Sequence, residues 1–179
     1  MMKMNKVLLT MAMVSGAMAF NAAAAIAPDQ GSGTITFMGS IIDAPCSIAP
    51  ESSNQTINLG QISNVLLANE GSSKPRNFTI NLEKCDTTTK NSVSVTFDGS
   101  KDAVNNKLLG ITGSAKGAGV VVTDGSGTEV TLGQPSVANT LLSGDNTLVF
   151  SAYLRGNSAT GDIIPGEFTS VANFALTYP

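Results

Sequence analysis

Hydrophobic and polar residues alternate in short stretches along this chain, and no stretch sustains the 3.6-residue period of an amphipathic helix. Phe78, Ile80 and Leu82 alternate ahead of Cys85. Val93, Val95 and Phe97 alternate and stop at Asp98-Gly99, a turn signal. A short apolar run from Val120 to Thr123 ends in TDGSG, and Val130 and Leu132 form another alternating piece. Leu148, Phe150, Ala152 and Leu154 alternate in TLVFSAYL. Phe168 to Tyr178 reads as one long strand with Phe174, Leu176 and Tyr178 on one face. Only Ser63 to Asn69 offers a turn of helix or, equally, another strand. Strands at this spacing, separated by Gly- and Asn-rich turns, predict an all-β sandwich. No linker divides the chain and no repeat is evident.

The stretch Gly33 to Cys46 also reads as one long strand, with an unusual face. Ile35, Phe37, Gly39 and Ile41 fall on alternate positions. Phe37 and Ile41 offer large apolar groups, and Gly39 between them offers none. An interior glycine weakens a strand and often marks a close approach by another surface. The expectation is an arm that fills a groove in another copy of the protein.

What precedes this stretch sets the compartment. Lys3 and Lys6 lead into an apolar run from Val7 to Phe20, followed by small residues up to Ala25. That order matches a secretory signal peptide with cleavage after Ala25. The run is short for a bilayer span of roughly 20 apolar residues. The expected division is a leader over 1–25, an N-terminal arm over 26–43 and one domain over 44–179. Losing Lys3 and Lys6 with the leader leaves 8 basic and 13 acidic residues, a net charge of −5. That balance, with no Lys/Arg cluster, argues against nucleic acid. Both cysteines, Cys46 and Cys85, lie beyond the leader, and an even count in an exported chain suggests a disulfide. Their spacing is far from C-x-x-C and there is no histidine, so a metal or redox pair has no support.

Several motifs in order carry a family resemblance. F-x-G-x-I-I-D-A-P-C-S-I (Phe37 to Ile48), N-L-G-Q-I-S (Asn58 to Ser63), K-P-R-N-F (Lys74 to Phe78), Cys85 after a strand, and G-E-F-T-S-V-A-N-F-A-L-T-Y-P (Gly166 to Pro179) run through nearly all of the mature chain. Together they resemble the chaperone–usher pilins, above all rod subunits of the P-pilus and mannose-resistant Proteus-like type. The resemblance implies an incomplete immunoglobulin-like β-sandwich that lacks its last strand and carries an extended N-terminal donor-strand arm. Ile35, Phe37, Gly39 and Ile41 would be arm residues entering a neighbour's pockets, with Gly39 the small one. Gly166, Phe168, Phe174, Leu176 and Tyr178 would form the groove-edge strand and contact a periplasmic chaperone. Cys46 and Cys85 would form the family's disulfide. The implied partners are identical subunits in a homopolymer, the chaperone, an outer-membrane usher and other pilus subunits. The implied destination is the fimbrium at the cell surface, reached through the periplasm.

Rival readings have less to stand on. The lack of histidine removes Ser-His and Cys-His arrangements and the commonest metal ligand. Asp98, Asp102, Asp124 and Asp162 sit in turn-like sequence, where Asp is favoured for backbone reasons. The two GSG triplets have no strand–GxGxxG–helix unit around them. No enzyme, cofactor or metal is expected. A two-domain tip adhesin needs more length. A minor adaptor or terminator subunit, or a self-contained exported binding module, remain the alternatives.

Overall fold

A computed structural model of the chain describes residues 33–158 and 160–179. The expected leader, 1–25, and residues 26–32 of the expected arm lie outside these. Residues 33–41 and Ile42–Pro179 belong to separate units. In the first, no strand or helix forms, and Ile35, Phe37 and Ile41 are exposed. The long strand expected from Gly33 to Cys46 is therefore absent over its whole length. A pleated strand persists where a partner accepts its backbone hydrogen bonds. The first residues to have one are Ser47–Ile48, just beyond this stretch.

The second unit holds, in chain order, β1 (Ser47–Ile48), helix α1 (Pro50–Ser53), helix α2 (Asn64–Leu67), β2 (Arg76–Cys85), β3 (Ser92–Gly99), β4 (Thr112–Gly113), β5 (Ala118–Asp124), β6 (Asn139–Thr140), β7 (Gly144–Gly156), β8 (Phe168–Thr169) and β9 (Ala172–Thr177). One sheet has the order β1-β2-β7-β5, a second the order β6-β3-β9, and β4 pairs with β8. All of these pairs are antiparallel. The period-2 pattern explains the packing. Ile80 and Leu82 of β2, Val93, Val95 and Phe97 of β3, and Leu148, Phe150 and Leu154 of β7 are all buried. They meet in one hydrophobic core between the sheets, so the molecule is an all-β sandwich.

Two irregularities shape the edges. The pairing of β2 with β7 shifts between Leu82 and Cys85, and Lys84 there takes a left-handed backbone, φ 52°. Such a bulge re-aims the chain. Its far side is pinned by the Lys84 N–H, which donates to Asp145 Oδ1 at 3.1 Å. Cys85 is thereby turned inward and joined to Cys46 in a buried disulfide. Beyond it, the buried Ser52 of α1 accepts the Asn81 N–H at 3.0 Å through its hydroxyl.

The other irregularity lies in the last stretch. The pattern predicts one strand over 168–178, but two pieces form. β8 pairs with β4, and β9 pairs with β3 through Phe97↔Phe174 and Val95↔Leu176. Between them Ser170 donates its hydroxyl to the Gly110 carbonyl at 2.8 Å. The chain changes partner there. Val130 and Leu132 are buried as expected but form no strand; the Val130 N–H bonds to the Val122 carbonyl at 2.9 Å. SNVLLAN becomes the short helix α2, which buries Leu67 and exposes Val65 and Leu66.

Candidate functional site

The sandwich is unfinished along one side. β9 is hydrogen-bonded to β3 on one edge and has no strand on its other edge among the described residues. β1 ends the opposite sheet after only two residues. Between these edges lies an open groove of about 1690 Å³. Its floor comes from alternate, inward positions: Phe78 and Ile80 of β2, Phe97 of β3, Val120 and Val122 of β5, Ala152 and Leu154 of β7. Three aromatic rings line its centre, Phe78, Phe97 and Phe174, and the buried Phe150 lies beneath them. Phe97 meets Phe150 edge-on at 5.0 Å, Phe78 lies against Phe150 at 5.8 Å, and Phe174 approaches Phe97 at 6.5 Å. Phe150 and Phe97 are buried, whereas Phe78 and Phe174 are only partly covered.

One wall is residues 54–64, where Leu59 and Ile62 pack on the core without forming a strand. The Gln55 side-chain amide ties this wall to β2 by donating to the Thr79 carbonyl at 2.7 Å. The other wall is Ile163 to Phe174. It is fastened by reciprocal backbone bonds between Lys116 and Ile164 at 3.0 and 3.1 Å, and by the Glu167 N–H donating to Ser114 Oγ at 3.1 Å. Gly166 sits at a tight point of this wall. A Cβ there would collide with Ser114 Oγ and the Ala115 backbone nitrogen, so only glycine lets the wall lie this close.

Few charges line the groove: only Lys116 and Glu167 carry them among its described residues. Its volume exceeds the roughly 300–1,000 Å³ usual for a small-molecule site. A trough of apolar pockets beside an unpaired strand edge suits an extended peptide. Backbone groups of the edge supply hydrogen bonds, and alternate side chains fill the trough. No group of three or more His, Cys, Asp or Glu among the described residues could hold a metal.

A smaller cavity of about 310 Å³ continues along β9, sharing Ile48 and Phe174 with the groove and adding Leu176 and Tyr178. The Tyr178 hydroxyl is buried there without a hydrogen-bond partner, and its burial holds the phenol above its ordinary pKa. Of the residues singled out from sequence, Gly166, Phe168, Phe174, Leu176 and Tyr178 thus fall along one wall. Ile35, Phe37, Gly39 and Ile41 stand in the other unit. Gly39 is of interest by itself: a Cβ there would meet nothing within 4 Å, and its backbone is not left-handed. Sequence reading missed the opposite wall and the floor. Leu59 and Ile62 lay inside a quoted motif, but without alternation nothing marked them as groove residues. Phe78 was read only as a strand residue.

The comparisons agree with this geometry. A family model described as Fimbrial protein matches residues 35–179. The chain is 51% identical to the Fimbria A protein of Serratia marcescens over 177 residues, covering 99% of each. It is 49% identical over 178 residues to the major MR/P fimbria protein of Proteus mirabilis, again covering 99% of each. Among solved structures, a chain of a chaperone–usher pilus studied for rod uncoiling superposes with a TM-score of 0.75 at 35% identity, covering 84% of this chain and 97% of that one. The P pilus rod subunit PapA gives a TM-score of 0.68 at 36% identity, covering 76% and 100%.

Proposed function

This chain belongs to the fimbrial protein family, and from that premise we propose that its subunits join by donor-strand exchange, the arm of one copy completing the sandwich of the next. The chain is a structural subunit of a bacterial surface pilus, not an enzyme, and it is exported to the cell surface to polymerise with other subunits. In our reading residues 26–43 are the arm and 44–179 the receiving domain. Ile35, Phe37 and Ile41 enter the groove, and Gly39 passes a place where only a small residue fits.

One observation carries this reading: the groove opens beside the unpaired edge of β9, so a single added strand supplies both missing backbone partners and missing apolar cover. Gly39 supports it from the donor side. Neither crowding nor a left-handed backbone within its own chain calls for glycine there, so its smallness serves a contact with another molecule. Phe37 and Ile41 are exposed, and burying each is worth roughly 1.5–3 kcal/mol. Each subunit gives one arm and receives one, so the contacts are heterologous and build a filament.

An unfilled groove is an aggregation hazard. A periplasmic chaperone that lends a strand to the edge formed by Gly166, Phe168, Phe174, Leu176 and Tyr178, with an outer-membrane usher that exchanges it for the next arm, meets that need. The high similarity to a major fimbrial protein over full length favours a rod subunit over an adaptor or terminator.

The test moves the arm. Residues 26–42 are deleted and a copy of Asp29 to Asp43 is appended after Pro179 through a flexible linker. The expected product is monomeric, unfolds at a much higher temperature than the unmodified mature chain and no longer polymerises. An unmodified chain that is already a stable monomer, and that the transplant only weakens, would overturn the reading.

A further inference from the structure

Among the described residues one buried side-chain polar atom has no hydrogen-bond partner, and it is the Tyr178 hydroxyl. Tyr178 follows Phe174 and Leu176 at alternate positions, so its ring leans to the same side of β9 as the groove wall. The ring is only partly covered, yet water does not reach the oxygen. A buried tyrosine usually places its hydroxyl on a partner, and an orphaned one counts against the free subunit. The space beside it is not filled by the chain. The 310 Å³ cavity there is bounded by Asp43, Ala44, Ile48, Phe174 and Leu176, and it is the continuation of the groove past Phe174.

We infer that the Tyr178 hydroxyl is a contact for the incoming arm of a second copy, donating to a backbone carbonyl of that strand once it lies along β9. This rests on the donor-strand reading above.

The experiment compares Tyr178→Phe with the unchanged mature chain, dilute enough to stay monomeric, and uses a synthetic peptide of residues 29–43 as the probe. Thermal unfolding is read without peptide, and peptide dissociation is read with it. The expected result is split. Without peptide the variant unfolds at the same or a higher temperature, because an orphaned polar atom has been removed. With peptide, dissociation is roughly three- to tenfold faster. Equal dissociation rates would remove the hydroxyl from the contact while leaving the arm-in-groove reading intact. A variant whose free form is weakened as much as its complex would assign Tyr178 an internal role and overturn the inference. A peptide that binds neither chain would overturn the donor-strand reading itself, and this inference with it.

Discussion

Glu129 lies beside Arg155, whose guanidinium donates to both carboxylate oxygens, while the Tyr153 hydroxyl donates to Oε1 at 3.1 Å. Hydrogen bonds from Arg155 hold the Glu129 carboxyl below its ordinary value. Asp86 and Asp124 are also lowered, by hydrogen bonds from Thr88 and from Ser126 respectively. Each folded pKa lies below its unfolded value. The stability these groups contribute is therefore fully present above the unfolded values near 3.8 and 4.5, and it is lost as pH falls through the lowered folded values. Thermal midpoints are expected to hold from pH 7 to about 5 and to fall below about 4.5. Glu129→Gln should make that acid decline shallower while lowering the midpoint at pH 7, and the gap between the two proteins should narrow in high salt. A variant whose midpoint ran parallel to the unchanged protein down to pH 3 would show that Glu129 does not contribute to the acid transition. This cluster was not legible in the sequence. Glu129, Tyr153 and Arg155 come together only because β5 and the turn after it fold back on β7, and no local pattern announces a contact across 24 residues.

At the scale of elements, the alternating stretches identified β2, β3 and β7 because a strand buried on one face must place an apolar residue at every second position, and the continuous apolar run from Val120 marked β5, which is buried on both faces. What alternation cannot carry is a change of partner. The break between β8 and β9 depends on Gly110 and Thr112 reaching across to Ser170 and Thr169, contacts set by the rest of the fold. The long strand expected at Gly33 fails for the same reason, since a pattern of side chains does not reveal where the ladder partner lies. The wall built by β8 and its approach has a specific weakness at Gly166. Gly166→Val places side-chain atoms against Ser114 and the Ala115 backbone, and overpacking of this kind costs about 1–3 kcal/mol. The wall from Ile163 to Phe168 should loosen first. Hydrogen exchange is expected to rise at Ser114, Lys116 and Ile164, whose N–H groups bond across it, with little change in the β2–β7 ladder. Uniform loss of protection through both sheets would instead make Gly166 part of the global core.

For the whole molecule, one wall of the groove coincides with the last of the motifs and the arm we propose with the first, while the floor and the far wall emerged only once two sheets were stacked. The consequence that matters is asymmetry: the arm and the groove are separate surfaces of one chain, so one can be disabled while the other still works. Gly39→Leu is the cleanest such change. Nothing within its own chain lies near a Cβ at Gly39, so the domain should fold with an unaltered thermal midpoint. Its arm should no longer seat in a neighbour, and the variant alone should form no rods. Its groove, however, remains intact and accepts an unmodified arm. Mixed with unmodified subunits it should act as an end cap, since a chain that receives but cannot give terminates a head-to-tail filament. Roughly one variant in ten subunits is then expected to limit filaments assembled in vitro to about ten subunits, measured as a length distribution by electron microscopy. Two results would count against this. Normal rods from the variant alone would mean that Gly39 faces no tight pocket. Unshortened filaments that exclude the variant entirely would mean that its groove was damaged too, and that arm and groove are not the independent surfaces the fold implies.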